Sequence, residues 1–195
     1  GLPIELPVPK RYWSVEQHWE PRPVETRSPQ DWADELERRL TDIVREESLA
    51  DVPLGAFLSG GIDSSLIVAL MQRVNSQPVR TFSIGFREAG FDEAPHAKRV
   101  AAHLGTKHTE FYVTAADALA VIPQLPRIYD EPFADASQIP TRLLCGLARE
   151  HVTVALSGDG GDELLNGYER YRAMGLIWSA ASLIPQSLRP TVASL

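Results

Sequence analysis

Val52-Pro53-Leu54-Gly55-Ala56-Phe57-Leu58-Ser59-Gly60-Gly61-Ile62-Asp63-Ser64-Ser65-Leu66-Ile67-Val68-Ala69-Leu70-Met71 is the stretch on which the reading of the fold turns. The apolar run 53–58 reads as a strand, and a helix follows over 64–75, with glycine and serine making the turn between them. Adjacent glycines let backbone approach a ligand closely. Successive N–H groups at a helix N-terminus, backed by the helix dipole, form an anion site, and the anion suited to it is phosphate. The Lys-Ser/Thr pair of a Walker A loop is missing, and Asp63 stands in the turn instead. A carboxylate beside phosphates calls for a cation, which makes Asp63 a candidate Mg²⁺ ligand in a site completed by waters and phosphate oxygens. The plainer alternative is that Asp63 caps the helix and the glycines only turn the chain.

A second string, Leu156-Ser157-Gly158-Asp159-Gly160-Gly161-Asp162-Glu163-Leu164-Leu165-Asn166-Gly167-Tyr168, follows the apolar run 152–155. Ligands of open parallel sheets bind outside the carboxyl ends of strands, so both turns belong on one side, with Asp159 and Asp162 facing the same phosphates. Here the alternative is a solvated glycine turn with acidic residues at a helix start.

Between these turns, short apolar runs alternate with helical patterns. Strands are expected at 53–58, 79–86, 108–113 and 152–157. Helices are expected at 64–75, 92–104, 138–150 and 162–172, with 115–129 helical or irregular. This alternation implies right-handed crossovers and an α/β fold, a parallel sheet of about four or five strands with helices on both faces. Over 92–104, Asp92 suits the cap, Ala97, Val100, Ala101 and Leu104 form the inward stripe, and Gly105 ends the helix. Pro3, Pro7, Pro9, Pro21 and Pro23, with Tyr12, Trp13 and Trp19, make 1–27 an extended arm whose aromatic residues dock on something. The domain proper, 28–195, begins at Ser28-Pro29-Gln30-Asp31, a helix-start signal, and Trp32, Leu36, Leu40, Ile43, Val44 and Leu49 then recur as a core-facing stripe.

The 195 residues are 44% hydrophobic and carry a net charge of −7. That balance argues against a nucleic-acid surface, which needs clustered Lys and Arg. No apolar run approaches the length of a membrane span and no signal peptide is visible, so a cytoplasmic location is the default expectation. The single cysteine, Cys145, lies in an apolar stretch and reads as a buried structural thiol. The five histidines show no zinc-site spacing.

The pairing of SGGIDSS with SGDGGDEL…GY resembles the synthetase domain of glutamine-hydrolysing asparagine synthetases, within the N-type ATP pyrophosphatases. The similarity runs from about Arg11 to about Ala173 and includes the loop 129–141, which looks like the family's region near the aminoacyl substrate. The resemblance implies strand order 3-2-1-4. It also implies ATP and Mg²⁺, and an aspartate carboxylate activated as an acyl-adenylate that ammonia then attacks. On it, Ser59, Gly60, Gly61, Ser64 and Ser65 contact phosphate, and Leu58, Ile84 and Gly85 form the adenine pocket. Ser157 and Gly158 lie near the ribose or α-phosphate, Asp63 and Asp162 hold the metal, and Asp159 is the catalytic base. It further implies an N-terminal glutaminase domain supplying ammonia and a later segment with a phosphate-contacting lysine, both outside this chain, which is then an inactive fragment truncated at its C-terminus. A homodimer is left open; neither nucleic acid nor membrane is expected as a partner.

Three residues depart from the family's usual pattern: Asp159 stands for Glu, Leu165 for Phe and Asn166 for Gly. These departures leave the acceptor acid open. A related ligase acting on a sugar or peptide acid, a β-lactam synthetase, or a non-catalytic ATP-binding module remain alternatives.

Overall fold

A computed structural model describes residues 10–18, 27–86 and 93–182. The chain divides between Arg38 and Arg39 into two units.

In the first unit, the arm contains one helical turn, α1 (Val15–His18), so it is not extended throughout. Helix α2 (Pro29–Glu47) begins in the first unit and ends in the second. It starts where the sequence signals: the Ser28 N–H donates to Asp31 Oδ2 at 2.9 Å, and the Asp31 N–H returns to Ser28 Oγ at 3.1 Å. This reciprocal pairing satisfies two donors at the helix start and holds the Asp31 carboxyl below its ordinary pKa, chiefly through the Ser28 hydroxyl. The expected apolar stripe is only partly buried. Leu40 and Val44 pack into a core, whereas Trp32 (49% exposed), Ile43 (53%) and Leu49 (82%) do not. Trp32 instead carries the Arg27 guanidinium 4.9 Å above its ring.

The second unit holds β1 (Leu54–Phe57), β2 (Arg80–Phe86), β3 (Lys107–Val113) and β4 (Val154–Leu156), all parallel, in the order β3-β2-β1-β4. Strands β1 and β4 are shorter than the apolar runs that announce them, and the order is the one the resemblance implied. Helices α3 (Ile62–Val74) and α4 (Ala94–Leu104) are the β1–β2 and β2–β3 crossovers. Val68, Leu70 and Met71 of α3 join Ala56, Leu58 and Val79 in the main core, and α4 closes it with Ala97 and Ala101. Alanines let α4 sit close. Gly60 depends on this: at φ +85°, a Cβ there would stand 2.7 Å from the Ala97 backbone nitrogen. The expected cap Asp92 lies outside the described residues, whereas Gly105 ends α4 at φ 71° as expected.

The return from β3 to β4 runs through α5 (Ala115–Val121), a single 3₁₀ turn (Ile122–Gln124), α6 (Leu125–Ile128) and α7 (Gln138–Ala148). Leu144 and Ala148 of α7 pack on Phe82 and Val152 in a second core, where Phe82 stacks on Phe111 at 6.1 Å. Cys145, one position round the helix from Leu144, falls outside that packed face and is exposed, which corrects the expected buried thiol. The expected helix 162–172 is also two helices, α8 (Gly161–Leu165) and α9 (Glu169–Ser182). Asn166 breaks them apart by adopting φ 59°, a left-handed conformation that asparagine tolerates better than most residues.

A polar network ties β2 to β3. Thr81 Oγ1 lies 2.9 Å from both Thr106 Oγ1 and His108 Nδ1, and His108 Nε2 lies 3.2 Å from Ser83 Oγ. Burial lowers the His108 pKa; the nearby Glu110 opposes this and Lys98 adds to it. With a depressed folded pKa, His108 stabilises the fold fully above its ordinary value near 6.5, and that contribution is lost as pH falls below it. The Glu110 carboxyl, held low by Lys98, titrates well beneath this window. Unfolding by urea should therefore show stability declining from pH 7 to 5.5 in the parent. His108→Asn should be less stable by about 1 kcal/mol at pH 7.5 and flatter across the window; an equal slope would remove His108 as its source.

Candidate active site

The two glycine turns emerge side by side because β1 and β4 are adjacent, with Leu54 paired to Val154 and Ala56 to Leu156. They meet directly. A Cβ on Gly158 would stand 2.6 Å from the Ser64 nitrogen and 2.7 Å from the Asp63 carbonyl carbon, and one on Gly161 would stand 2.5 Å from Asp63 Cγ. The β4 turn is thus laid against the first turn of α3, with the Asp63 carboxylate between them.

Within the first turn, the serines hold the loop together. The Ser59 N–H donates to Ser64 Oγ at 3.2 Å, the two hydroxyl oxygens lie 2.9 Å apart, Ser64 Oγ donates to the Gly61 carbonyl at 3.3 Å, and the Gly61 N–H donates to Ser59 Oγ at 3.2 Å. The N–H groups of Ile62, Asp63 and Ser64, in the first turn of α3, precede any intrahelical acceptor, the first intrahelical bond being Ser65 N–H to the Gly61 carbonyl. Gly61 itself is extended at φ −70° and ψ 166°, so the positive φ of this turn belongs to Gly60.

A cleft of about 1060 Å³ opens over both turns. Of the residues singled out from sequence, Leu58, Ser59, Gly61, Asp63 and Ser64 line it from one side, and Ile84 does so from β2. Ser157, Gly158, Asp159 and Asp162 line it from the β4 turn. Gly60, Ser65 and Gly85 do not. Gly60 is taken up by packing on α4, the Ser65 hydroxyl is buried with no hydrogen-bond partner among the described residues, and Gly85 is buried in β2.

The cleft also recruits residues the sequence left unassigned. Ser83 precedes Ile84 in β2, and Glu93 stands ahead of α4. Asp135, Ser137 and Thr141 come from the loop whose resemblance to a substrate region was the one sequence signal for them. Tyr168 enters through the α8–α9 break, where Gly167 allows close passage: a Cβ at Gly167 would collide with Asp162 Oδ1. Asp159, exposed at the rim, accepts a hydrogen bond from Ser157 Oγ at 3.1 Å. The Tyr168 hydroxyl donates to Glu163, which lowers the pKa of that carboxyl and raises that of the phenol.

The donor set fits a hard cation held by few protein groups. Asp63 and Asp162 both line the cleft, and no group of three or more His, Cys, Asp or Glu with metal-holding geometry occurs among the described residues.

Residues 35–194 match the family model described as asparagine synthase. The chain belongs to the asparagine synthase family. It is 45% identical over 136 residues to a putative glutamine-hydrolysing asparagine synthetase 2 of Methanocaldococcus jannaschii, covering 69% of this chain and 26% of that protein. It is also 41% identical over 138 residues to glutamine-hydrolysing asparagine synthetase 1 of Bacillus subtilis, covering 71% and 22%. The chain thus spans about a quarter of the length of these family members. Among solved structures, the NH3-dependent NAD synthetase from Campylobacter jejuni is similar with a TM-score of 0.48 at 18% identity, covering 69% of this chain and 60% of that one. No described helix is long and apolar enough to cross a membrane.

The contact between the turns makes a prediction about stability. Gly158→Ala drives a methyl into the backbone of α3 and should cost about 1–3 kcal/mol. Gly161→Ala meets only the movable end of Asp63 and should cost distinctly less. Urea unfolding of both variants measures the difference, and equal losses would mean that the turns do not pack as described.

Proposed function

We propose that this chain is the ATP-using part of an amide-forming synthetase, which activates the side-chain carboxylate of aspartate with ATP and transfers ammonia to it. The observation that carries the reading is the packing of the SGGIDSS and SGDGGDEL turns against each other around Asp63. In this reading residues 28–195 form the ATP pyrophosphatase domain, and 1–27 connect it to a glutaminase domain of the parent protein that supplies ammonia.

A carboxylate oxygen of the acid attacks the α-phosphorus of ATP, pyrophosphate leaves, and an acyl-adenylate results. Ammonia then attacks the acyl carbon, the amide forms, a proton is lost and AMP departs. The N–H groups of Ile62 and Asp63, at the positive end of α3, stabilise the departing pyrophosphate. Apolar Ile84 takes the adenine ring while the Leu58 side chain stays buried in the main core, and Ser157 with Gly158 lie beside the ribose and α-phosphate. Asp63 and Asp162 would hold Mg²⁺, which offsets charge on the phosphates. Asp159 takes the proton from the attacking nitrogen, with Ser157 orienting its carboxylate.

Two tests separate these roles. Asp63→Asn and Gly161→Ala should both reduce the stimulation of ATP binding by Mg²⁺, measured by calorimetry with and without the metal; undiminished stimulation in Asp63→Asn would refute its assignment as ligand. Asp159→Asn in the full-length protein should lower amide formation by roughly 10²–10⁴-fold while acid-dependent exchange of pyrophosphate into ATP persists. Loss of exchange in step with amide formation would move Asp159 from the ammonia step to the adenylation step. An intact protein that binds ATP with Mg²⁺ yet releases pyrophosphate with no acid would favour the non-catalytic module.

A further inference from the structure

The cleft lining carries six carboxylates, those of Asp63, Glu93, Asp135, Asp159, Asp162 and Glu163, and no Lys, Arg or His among the described residues. Both proposed substrates, ATP and an acid, are anions. Divalent metal and the N-terminus of α3 answer the polyphosphate, but no cationic side chain among the described lining residues answers a carboxylate. Among the described residues, Arg170, at the start of α9, holds a cation against a residue of this lining. Its guanidinium carbon sits 3.9 Å above the ring of Tyr168, which lines the cleft, and 5.6 Å from that of Tyr171. Tyr168 and Tyr171 meet edge to face at 5.4 Å, and the Tyr168 hydroxyl is fixed on Glu163, whose carboxyl is lowered chiefly by that hydrogen bond and to a smaller extent by the charge of Arg170.

A guanidinium laid on an aromatic ring keeps its in-plane N–H fork available for a planar oxyanion, and stacking fixes its orientation before the ligand arrives. No hydrogen bond or ion pair engages that fork among the described residues. The segment that presents it is anchored in turn, because Asn166 takes the left-handed conformation and Gly167 passes tightly against Asp162. Arg142, on α7, is placed differently. Its guanidinium lies over Gly146, and its charge acts on the Cys145 thiol.

We infer that Arg170 binds a carboxylate of the acid substrate at the mouth of this cleft, and so helps to select which acid is amidated. This deepens the proposed function and rests on it for the identity of the reaction. The test uses the full-length protein and two titrations. One adds a non-hydrolysable ATP analogue with Mg²⁺; the other adds L-aspartate, L-glutamate or glucuronate to the nucleotide-loaded protein. Arg170→Gln should weaken acid binding at least tenfold while changing analogue affinity less than twofold, and Arg170→Lys, which keeps the charge without the fork, should recover part of the loss. In turnover, the KM for the acid should rise while the KM for ATP stays put. Thermal unfolding and far-UV circular dichroism of both variants show whether they are folded like the parent.

Unchanged acid affinity in folded Arg170→Gln overturns the inference. A rise in KM confined to ATP overturns it too, since the fork would then serve phosphate. A parent protein that binds nucleotide but none of the three acids also counts against it. Failure of the parent to bind nucleotide at all sinks the amidation reading instead. Arg170 is then judged on the acid titration of the unloaded protein, where absent or unaltered binding overturns the inference and a tenfold loss on substitution supports it.

Discussion

The contact of the β4 turn with the first turn of α3 sets the geometry on which the rest of the site depends. Strands β1 and β4 pair in register, so their carboxyl ends leave the sheet one strand spacing apart and the two turns have no room to avoid each other. Only a residue without a Cβ fits where Gly158 meets the Ser64 nitrogen, whereas a Cβ at Gly161 would have to push the Asp63 carboxylate aside. The glycines in these motifs therefore act on two scales. They shape their own turns, and they let one turn lie on the other, which brings Asp63 and Asp162 to one cleft.

The sheet supports this arrangement from both faces with different chemistry. On one face α4 approaches closely because its inward positions are alanines, and that closeness fixes Gly60 and the SGGIDSS turn from behind. On the other, Phe82, Phe111 and Leu144 form an aromatic and aliphatic cluster that seats α7, the helix whose first turns carry Thr141 and Leu144 to the cleft. Fully burying Phe82 is worth about 2–3 kcal/mol. The hydroxyl and imidazole chain from Thr106 to Ser83 adds direction to that packing. It satisfies each polar group it buries, and it links the β2–β3 edge to a residue that lines the cleft.

Charge gives the cleft its chemical character. Acidic side chains dominate a cavity that, on the proposed reading, takes a nucleoside triphosphate, so binding there depends on added cations and on backbone N–H groups more than on basic side chains. The Tyr168 platform and its guanidinium stand at the edge of this field, where a carboxylate approaching six others would otherwise be repelled.

Much of this was legible in the chain itself. Hydrophobic period and glycine-hydroxyl turns are local signals, and they located the four strands, the main helices and both turns that line the cleft, because the backbone conformations they favour depend on a few neighbouring residues. The Ser28–Asp31 start of α2 and the left-handed end at Gly105 were readable for the same reason. Asn166-Gly167 carried a break signal that the helical pattern on either side obscured. Long-range packing decided the rest. Which face of α2 is buried, why Cys145 is exposed and why Ser65 stays out of the cleft all follow from which surface each helix turns toward its neighbours. The engagement of the Ser59 and Ser64 hydroxyls within their own turn needed coordinates as well. The sequence by itself determined the kinds of elements and the chemistry of the two turns; the tertiary structure alone decided that the turns touch, since that contact joins residues about a hundred positions apart through strand pairing that no local pattern encodes.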